Sequence, residues 1–264
     1  EVPGLIVTQH SGEGKANQFF LRGFNLDHGT DIAISVDGMP VNMRTHAHGQ
    51  GYADLNFLIP ELVGAVEFHK GPYFVRDGDF ASAGSVRIDY LDKLNRNVAL
   101  TTFGSFGLKR ALSAASAPLG EGNLLVAGEA QTYDGPWVVP DTLRKFNGVV
   151  RYSQGTPLDG FAVTGMAYWA KWNATNQIPE RAVAEGVIGR YGTLDPTDGG
   201  DTGRFSLSGR WSQSDAGGVT RVSAYVIRYQ MNLWNNFTYF LNDPVNGDQF
   251  RQRDSRVLGG GEVS

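Results

Sequence analysis

Three side chains that can bind a ligand lie close together on one polar, glycine-bearing loop. Arg44, His46 and His48 occupy alternate positions at the start of the stretch that runs to Gly51. A guanidinium and two imidazoles can bind an anion through charge-assisted hydrogen bonds, which are stronger than hydrogen bonds between neutral groups. Neutral imidazoles can instead ligate a metal ion. The residue types and their spacing therefore predict ligand contact at this loop.

A metal site at the loop would need ligands from elsewhere in the chain. Asp54 follows the two histidines in sequence, and His28 contributes only if the fold brings it near. Structural and catalytic zinc sites use three or four protein ligands. Three interpretations stay open, namely a metal site, direct contact with a ligand, and an ordinary solvated loop. We predict ligand contact at this loop, with no resident metal.

The sequence contains no arrangement typical of an enzyme. It has no cysteine, so disulfides and thiolate chemistry are excluded. Ser82 and Ser85 have no nearby histidine base, and Gly12 to Gly14 lack the strand-to-helix context of a nucleotide-binding loop. We therefore predict no catalytic residue and no cofactor. A formal net charge of -4 also argues against nucleic acid as a partner.

The composition favours a scaffold of strands and turns. Glycine is abundant at 35 residues, and charged residues make up 19% of the chain, against about 25% in soluble domains. Residues 1–92 have the pattern of a mixed α/β domain, and their clearest strand, Ile32–Val36, has apolar residues at every second position. Asp37 and Gly38 then turn the chain, and Pro40 prevents the strand from continuing unchanged.

Three glycine- and proline-bearing pieces follow one another in this first domain. They are Phe20–Phe24, Val36–Pro40 and Pro60–Pro72. Their residues, order and separation resemble the plug domain of TonB-dependent outer-membrane receptors, which implies that residues 1–92 are such a plug. The motif residues carried over are Arg22, Gly23, Asp37, Gly38, Pro40, Lys70, Gly71 and Pro72. Arg22 and Asp37 are expected either to form a buried ion pair or to remain two separate surface charges.

From Asn97 onward, apolar residues recur at every second position in runs of about ten residues, as in transmembrane barrel strands. In the clearest run, Leu207 and Trp211 share one face while Ser208 and Arg210 share the other. The first face is expected to point to lipid and the second to the lumen. Weaker or similar runs cover 98–106, 108–116, 123–132, 145–153, 161–172 and 225–233. We predict about eight antiparallel transmembrane strands in residues 93–264.

The predicted connections between these strands differ in length at the two ends. The long loops are Tyr133–Leu143, Asn173–Thr202 and Asn235–Gln249. Aromatic residues cluster near the same end, where a girdle at the membrane interface would lie. They are Trp137, Trp169, Trp172, Trp234, Phe237, Tyr239 and Phe240. Trp137 and Trp172 are also candidates for ligand contact.

The resemblance implies a longer protein than this chain. A plugged barrel of 22 strands needs roughly 400 residues or more at about ten residues per strand plus loops. We therefore expect a plug domain and the first part of an incomplete barrel, with the chain beginning in mid-domain.

The resemblance also implies a receptor of the bacterial outer membrane. It would bind a scarce solute, such as a siderophore–iron chelate or cobalamin, and import it by energised displacement of the plug. The implied partners are outer-membrane lipid, the solute, which could be a metal chelate, and a TonB-type energy-transducing periplasmic protein. That protein is expected to contact a segment upstream of Glu1. A secreted all-β glycan-binding module, with the aromatic side chains as stacking platforms, is the alternative.

Overall fold

The strands are arranged in three sheets, of three, four and eight strands, within the residues that the structure describes. This structure, a computed structural model, describes residues 2–9, 12–26, 29–174 and 176–264. The two small sheets end at Tyr90, and the eight-stranded sheet begins at Val98. The domain boundary predicted at residue 92 falls in the connection between them. We refer to residues 2–90 as the N-terminal domain.

The N-terminal domain contains seven short strands in its described part. The antiparallel three-stranded sheet consists of β1 (Ile6–Thr8), β2 (Gln18–Leu21) and β3 (Phe24–Asn25). The four-stranded sheet consists of β4 (Ile32–Val36), β5 (Met39–Pro40), β6 (Val63–His69) and β7 (Gly84–Tyr90), in the order β5-β4-β7-β6. Strands β4 and β7 pair in parallel. A 3₁₀ helix, Pro60–Leu62, lies between β5 and β6, and another, Val75–Asp77, lies between β6 and β7.

Two of the predicted motif pieces form tight hairpin turns. Arg22 and Gly23 connect β2 to β3 with φ angles of 55° and 80°, and Asp37 and Gly38 connect β4 to β5 with φ angles of 47° and 78°. Positive φ at both central residues matches the right-handed twist of the flanking strands, and a residue-glycine pair accommodates it at low cost. The turn predicted at Asp37-Gly38 is therefore confirmed, and Pro40 ends the short strand that follows.

Apolar side chains of the small sheets form the core of the N-terminal domain. Ile32, Ile34 and Val36 alternate along β4 and are buried, as their spacing predicted. Leu26 and Leu62 pack in the same cluster. The same cluster continues to inner-face residues of the eight-stranded sheet, such as Leu112 and Met231.

Eight antiparallel strands follow, each paired with its neighbours in the chain. They are β8 (Val98–Phe103), β9 (Lys109–Leu119), β10 (Gly122–Tyr133), β11 (Leu143–Gly155), β12 (Gly160–Asn173), β13 (Gly199–Asp215), β14 (Gly218–Asn235) and β15 (Phe250–Val263). The number of strands predicted from the alternation is confirmed. The sheet does not close on itself, because β8 and β15 are its two edges. One short helix, α1 (Glu180–Ala184), lies in the connection between β12 and β13.

One face of the eight-stranded sheet, its inner face, packs against the N-terminal domain, and the other is its outer face. Along β13, Phe205 and Leu207 remain 52% and 53% exposed on the outer face, whereas Arg204 and Ser208 are buried on the inner face. The two faces predicted for this run are confirmed, and contact of the outer face with lipid stays a prediction.

The alternation is inverted in β14. Ile227, Tyr229 and Met231 are buried on the inner face, while Arg228 and Gln230 are exposed on the outer face. These apolar side chains are on the inside because the N-terminal domain covers that part of the sheet.

The long connections all lie at the same end of the strands, which we call the loop end. They run from Tyr133 to Leu143, Asn173 to Gly199 and Asn235 to Phe250. The connections at the opposite turn end are short, as predicted. Among the described residues, no helix has the length and apolar character needed to cross a membrane.

Aromatic side chains lie on the outer face at both ends, and not only at the loop end as predicted. Phe146 and Trp169 contact each other near the loop end, with ring centroids 5.9 Å apart. Phe161 and Trp211 pair in register near the turn end. Trp172 departs from the predicted girdle, because its position in β12 places it on the inner face, where it is 2% exposed.

The outer-face assignment generates a depth-dependent prediction. Replacing Leu207 with Arg in the full-length protein should cost about 2–4 kcal/mol of unfolding free energy, because it places a cation in the lipid-facing band. Gln213→Arg, on the same face two residues beyond Trp211 at the turn end, should cost about 0–1 kcal/mol. Denaturant unfolding in lipid vesicles measures both, and equal costs would show that the face does not contact lipid.

Candidate functional site

The turn Asp37-Gly38 is joined to the eight-stranded sheet by a buried arginine. Arg151, on the inner face of β11, is 1% exposed and donates from Nη1 to Oδ2 of Asp37 at 2.9 Å. The same guanidinium donates to Oδ1 of Asp92 at 2.6 Å and to Thr164 at 2.6 Å. Asp37 Oδ1 accepts from the backbone N–H of Tyr90 at 3.2 Å. Every side of this buried ion pair is therefore hydrogen-bonded, which such pairs require.

Neither expectation for the pair of Arg22 and Asp37 is correct in full. Arg22 is exposed, but Asp37 is buried and its cation comes from β11. Burial raises the pKa of the Asp37 carboxyl, and the charge of Arg151 partly offsets that rise. Arg22 lies instead beside Gly71, where a Cβ would come within 2.7 Å of its Nη1.

The remaining motif residues lie around these turns. Gly71 has a φ of 106°, and its missing side chain leaves room for Arg22. Lys70 is exposed, with Nζ 5.9 Å from the ring centroid of Phe68. Pro72 and Gly23 are also exposed. The motif is therefore mainly a set of turn residues, and Asp37 is the member that reaches the sheet.

A second arginine also joins the two parts of the molecule. Arg110, on the inner face of β9, forms a bidentate ion pair with Glu61 at 2.7 and 2.8 Å, and its Nε donates to Glu129 at 2.6 Å. The hydrogen bonds from Arg110 lower the pKa of the Glu61 carboxyl. Lys145 adds a third cation, 3.0 Å from Glu129. Sequence analysis missed these arginines, although each is a charged residue on one face of a run with period two.

The loop with the predicted ligand-binding residues packs against β14 and β15. The side chain of His46 has no exposed surface. Its ring stacks on Tyr52 with centroids 4.1 Å apart, and its Nε2 lies 3.2 Å from the hydroxyl of Tyr229. The Ala47 N–H donates to Asp254 at 3.1 Å. In this arrangement the loop fastens the N-terminal domain to the sheet.

Its two neighbours are more accessible than His46. His48 is half-buried, and its Nδ1 lies 2.9 Å from Oε1 of Gln252. The Arg44 side chain is 81% exposed and pairs with Asp79 at 3.0 Å. The described residues include no group of three or more His, Cys, Asp or Glu side chains able to hold a metal ion. His28 lies outside the described residues.

Trp172 is covered by the N-terminal domain. A Cβ at Gly12 would lie 2.8 Å from its indole ring, and a Cβ at Gly14 would overlap the ring. The glycines are needed here because the backbone passes directly over the indole. A ring covered in this way offers no stacking platform to a glycan.

Trp137 lies apart from Trp172, in the loop between β10 and β11. Its ring centroid is 6.2 Å from that of Tyr191 in the next long loop. It also donates a hydrogen bond to Asp141. Burial, followed by repulsion from Glu13, raises the pKa of the Asp141 carboxyl to about 7. Burial raises the pKa of Glu13 as well, against the attraction of Lys145.

Asp54 is buried in the interface and not beside the histidines in a metal site. Burial raises the pKa of its carboxyl to about 6, although the Asn56 N–H and Arg204 favour the charged form. The Arg204 guanidinium lies 4.7 Å from the Phe57 ring centroid. Among the described residues, Arg204 Nε and Nη2 have no protein hydrogen-bond partner. Buried polar atoms without protein partners are the usual positions of ordered water, so this part of the interface is polar.

Comparison with known proteins connects this arrangement to a family. A model of the TonB-dependent receptor plug domain matches residues 1–85. The solved copper transporter OprC matches with a TM-score of 0.72 at 20% identity, over 99% of this chain and 38% of that one. The pyoverdine outer-membrane receptor FpvA from Pseudomonas aeruginosa PAO1, bound to pyoverdine, matches with a TM-score of 0.67 at 13% identity, over 99% and 39%.

A third match is the ferric citrate transporter FecA in its unliganded form. Its TM-score is 0.70 at 13% identity, over 88% of this chain and 36% of that one. The chain therefore spans 36% to 39% of the length of these three structures. At these identities the likeness shows the fold, which is a plug domain against the first strands of a barrel.

Removing Arg151 should release the N-terminal domain. Arg151→Met leaves the Asp37 carboxylate buried without a cation, which should cost about 3–5 kcal/mol. The measurement is denaturant unfolding of the full-length protein in detergent, with protease sensitivity of residues 2–90 as a second readout. The exposed loop variant Arg190→Met is the matched control. Adding Asp37→Asn, which keeps the acceptor for Tyr90, should recover part of the loss; a fully additive double variant would contradict the pairing.

The arrangement around Trp137 should depend on pH. Because the folded pKa of Asp141 is raised to about 7 from an ordinary value of 3.8, its contribution to stability is complete below about 4 and is lost as pH rises through about 7. The ¹⁹F signal of 5-fluorotryptophan at Trp137, assigned with Trp137→Phe, should shift with that midpoint. Asp141→Asn should abolish the shift and the exposed control Glu185→Gln should not; an unchanged titration in Asp141→Asn would contradict the assignment.

Proposed function

This chain carries the plug domain and first barrel strands of a TonB-dependent receptor of the bacterial outer membrane, and from that premise we propose a transport function. The full-length protein binds a scarce solute at the loop end and imports it when the N-terminal domain is displaced from the inner face. Transport of this kind requires no covalent chemistry by the protein. The predicted absence of catalytic residues is compatible with it.

The ion pairs and hydrogen bonds in the interface support this proposal above all. Arg151 pairs with Asp37, Arg110 pairs with Glu61, and His46 contacts Tyr229, all across the boundary between domain and sheet. Ion pairs and hydrogen bonds can be exchanged for bonds to water when the surfaces separate, whereas a dry apolar interface offers no such replacement. The N-terminal domain is thus held partly by contacts that water can replace, beside apolar contacts of residues such as Met231.

Displacement requires energy from a partner. Displacement must break several ion pairs at once and expose apolar side chains, such as Ile227 and Met231, that are buried in the interface. We propose that a TonB-type energy-transducing periplasmic protein supplies the work. The contact segment for that protein stays a prediction, as does its position upstream of Glu1.

The proposed solute is a metal chelate or a comparably scarce compound, such as a siderophore–iron chelate or cobalamin. The fold relatives are described as a copper transporter, a pyoverdine receptor and a ferric citrate transporter, which supports the class and not one compound. Of the predicted site residues, we propose Arg44, His48 and Trp137 for contact with the solute. His46 and Trp172 would respond indirectly, because each is covered in the interface between domain and sheet.

Growth experiments identify the solute class. A deletion strain grown under iron, cobalt, zinc or carbon limitation should fail under the condition that the receptor normally relieves. Re-expression of the full-length protein should restore growth under that condition alone. Normal growth of the deletion strain under all four conditions would argue against uptake of these solutes.

Locking the N-terminal domain to the sheet tests displacement directly. A Cβ at Gly38 would lie 3.7 Å from the Cβ of Ser223 on β14, within the 3.5–4.5 Å of disulfides. In the oxidised variant Gly38→Cys/Ser223→Cys, solute should still bind to cells, but import should fall to the level without the receptor. A reductant should restore import, and each single variant should import normally. Import with the disulfide intact would contradict displacement of this part of the domain.

A further inference from the structure

A cluster of polar side chains joins two of the long connections at the loop end. Asn176, Asp195 and Asp198 lie in the connection between β12 and β13. Asn236 and Gln249 lie in the connection between β14 and β15. We call these five residues the loop cluster. The transport function proposed above assigns no role to them.

The two carboxylates of the loop cluster converge on one nitrogen atom. Nε2 of Gln249 donates to Oδ1 of Asp198 at 3.0 Å and lies 3.4 Å from Oδ2 of Asp195. The hydroxyl oxygen of Thr197 lies 2.7 Å from the same nitrogen. Three oxygen atoms, two of them from carboxylates, therefore surround a single position, which a neutral amide group occupies in this structure.

The negative charge of the loop cluster is not balanced by a basic side chain. Asp198 is 1% exposed, and Asp195 is half-buried. In the part of the chain that the structure describes, no lysine, arginine or histidine forms an ion pair with either carboxylate. Burial raises the pKa of the Asp198 carboxyl, hydrogen bonds from two amide groups oppose that rise, and the charge of Asp195 adds to it. Buried charges in proteins are usually paired with an opposite charge or coordinated to a metal ion.

Two amide oxygens next to these carboxylates lack a hydrogen-bond donor. Asn176 and Asn236 are 9% and 2% exposed, and their Oδ1 atoms have no partner among the described residues. The Nδ2 atom of Asn176 donates to Asp198 at 2.5 Å, and that of Asn236 donates to Asp195 at 2.8 Å. The backbone N–H of Asn236 also donates to Asp198, at 3.3 Å, so this residue lies between the two carboxylates. A buried acceptor without a donor is unfavourable, and a positively charged partner would satisfy both oxygens.

Rotation of these amide groups would bring their oxygens beside the carboxylates. The oxygen and the nitrogen of an Asn or Gln amide exchange positions when the group makes a half-turn. The rotated oxygen is repelled while it faces only a carboxylate, but the arrangement becomes favourable when a cation lies between the two oxygens. The same holds for Gln249, whose exposed side chain can move away from its present position.

The atoms that the loop cluster offers to a cation are all oxygens. They come from two carboxylates, one hydroxyl and three amide groups, with no sulfur or imidazole among them. Calcium takes about six to eight oxygen ligands in a flexible geometry, whereas magnesium requires a smaller and nearly ideal octahedron. Imidazole and thiolate ligands suit transition metals such as zinc and copper. The set of ligands therefore fits calcium.

We propose that the loop cluster binds a calcium ion, which joins the connection between β12 and β13 to the connection between β14 and β15. The ion replaces the amide nitrogen of Gln249 between Asp195 and Asp198. Rotated amide oxygens of Asn176 and Asn236 contribute further ligands. Only two acidic side chains take part, so the site needs no group of three His, Cys, Asp or Glu residues. It rests on the geometry of the two connections and not on the transport function.

Isothermal titration calorimetry tests this site in the full-length protein in detergent, after treatment with a chelator. Wild type should bind Ca²⁺ with a dissociation constant on the order of 10⁻⁴ M, as extracellular calcium modules do. Mg²⁺ should bind roughly tenfold more weakly or worse, because the ligands do not form a small octahedron. The variant Asp195→Asn/Asp198→Asn keeps the shape of both side chains and should lose calcium binding.

Two aspartates in the connection between β14 and β15 provide a matched control. The carboxylates of Asp243 and Asp248 accept hydrogen bonds from N–H groups of their own loop. The variant Asp243→Asn/Asp248→Asn removes the same charge and should bind calcium like wild type. The variant Asn236→Asp adds a carboxylate to the loop cluster and should bind calcium more tightly, because affinity depends on the number of charged ligands.

Protease protection gives a second readout of the same site. Glu180 and Glu185 are exposed in and beside α1, between the parts of the loop cluster that the ion would hold. A glutamate-specific protease that needs no calcium should cleave there about tenfold more slowly in about 1 mM Ca²⁺, since the expected ratio is one plus the calcium concentration divided by the dissociation constant. Asp195→Asn/Asp198→Asn should be cleaved equally fast with and without calcium.

Absence of calcium binding by wild type would overturn the proposal and assign the two amide oxygens to ordered water. Binding that survives in Asp195→Asn/Asp198→Asn, or that is lost in Asp243→Asn/Asp248→Asn, would place the ion elsewhere and overturn the proposal as well. Equal affinities for Ca²⁺ and Mg²⁺ would contradict the choice of metal. None of these measurements involves solute import, so a failure here is distinct from a failure of the transport function.

Discussion

The buried guanidinium of Arg151 is the constraint on which the arrangement of domain and sheet depends. It is nearly inaccessible to solvent and is satisfied only while Asp37 and Asp92 stay beside it. A buried charge without its partners is strongly unfavourable, so the turn Asp37-Gly38 is held at one position on β11. Arg210 extends the same network by contacting Asp92 at 2.9 Å. The N-terminal domain is therefore oriented by charges, although apolar side chains also pack across the interface.

Most of the fold could be predicted from the sequence because strands and turns are local. Alternation along β4 and β13 follows from the pleat, and the turn at Asp37-Gly38 follows from the φ angles that glycine permits. The inversion in β14 could not be predicted, because alternation gives two faces without saying which one is covered. Tyr229 and Met231 are inside only because the N-terminal domain packs there, and that contact joins residues distant in sequence.

The candidate site was less predictable for the same reason. Arg44, His46 and His48 were selected by residue type, yet their environments differ because β14 and β15 cover His46 and leave Arg44 open. Arg110 and Arg151 looked like ordinary alternating charges in the sequence. What gives them importance is the set of acids that the N-terminal domain presents to them. Sequence reasoning can therefore find the pieces of such an interface more easily than their pairing.

The register of the sheet also bears on the order of assembly. Each strand from β8 to β15 pairs with its neighbours in the chain, so the sheet grows by closing hairpins, which are short loops. The bond between Arg151 and Asp37 spans 114 residues, and that between Ala47 and Asp254 spans 207. Closing a large loop costs more conformational entropy than closing a small one and is therefore slower. We therefore expect hairpins and small sheets to form first, and the cations of the inner face to meet their acids late.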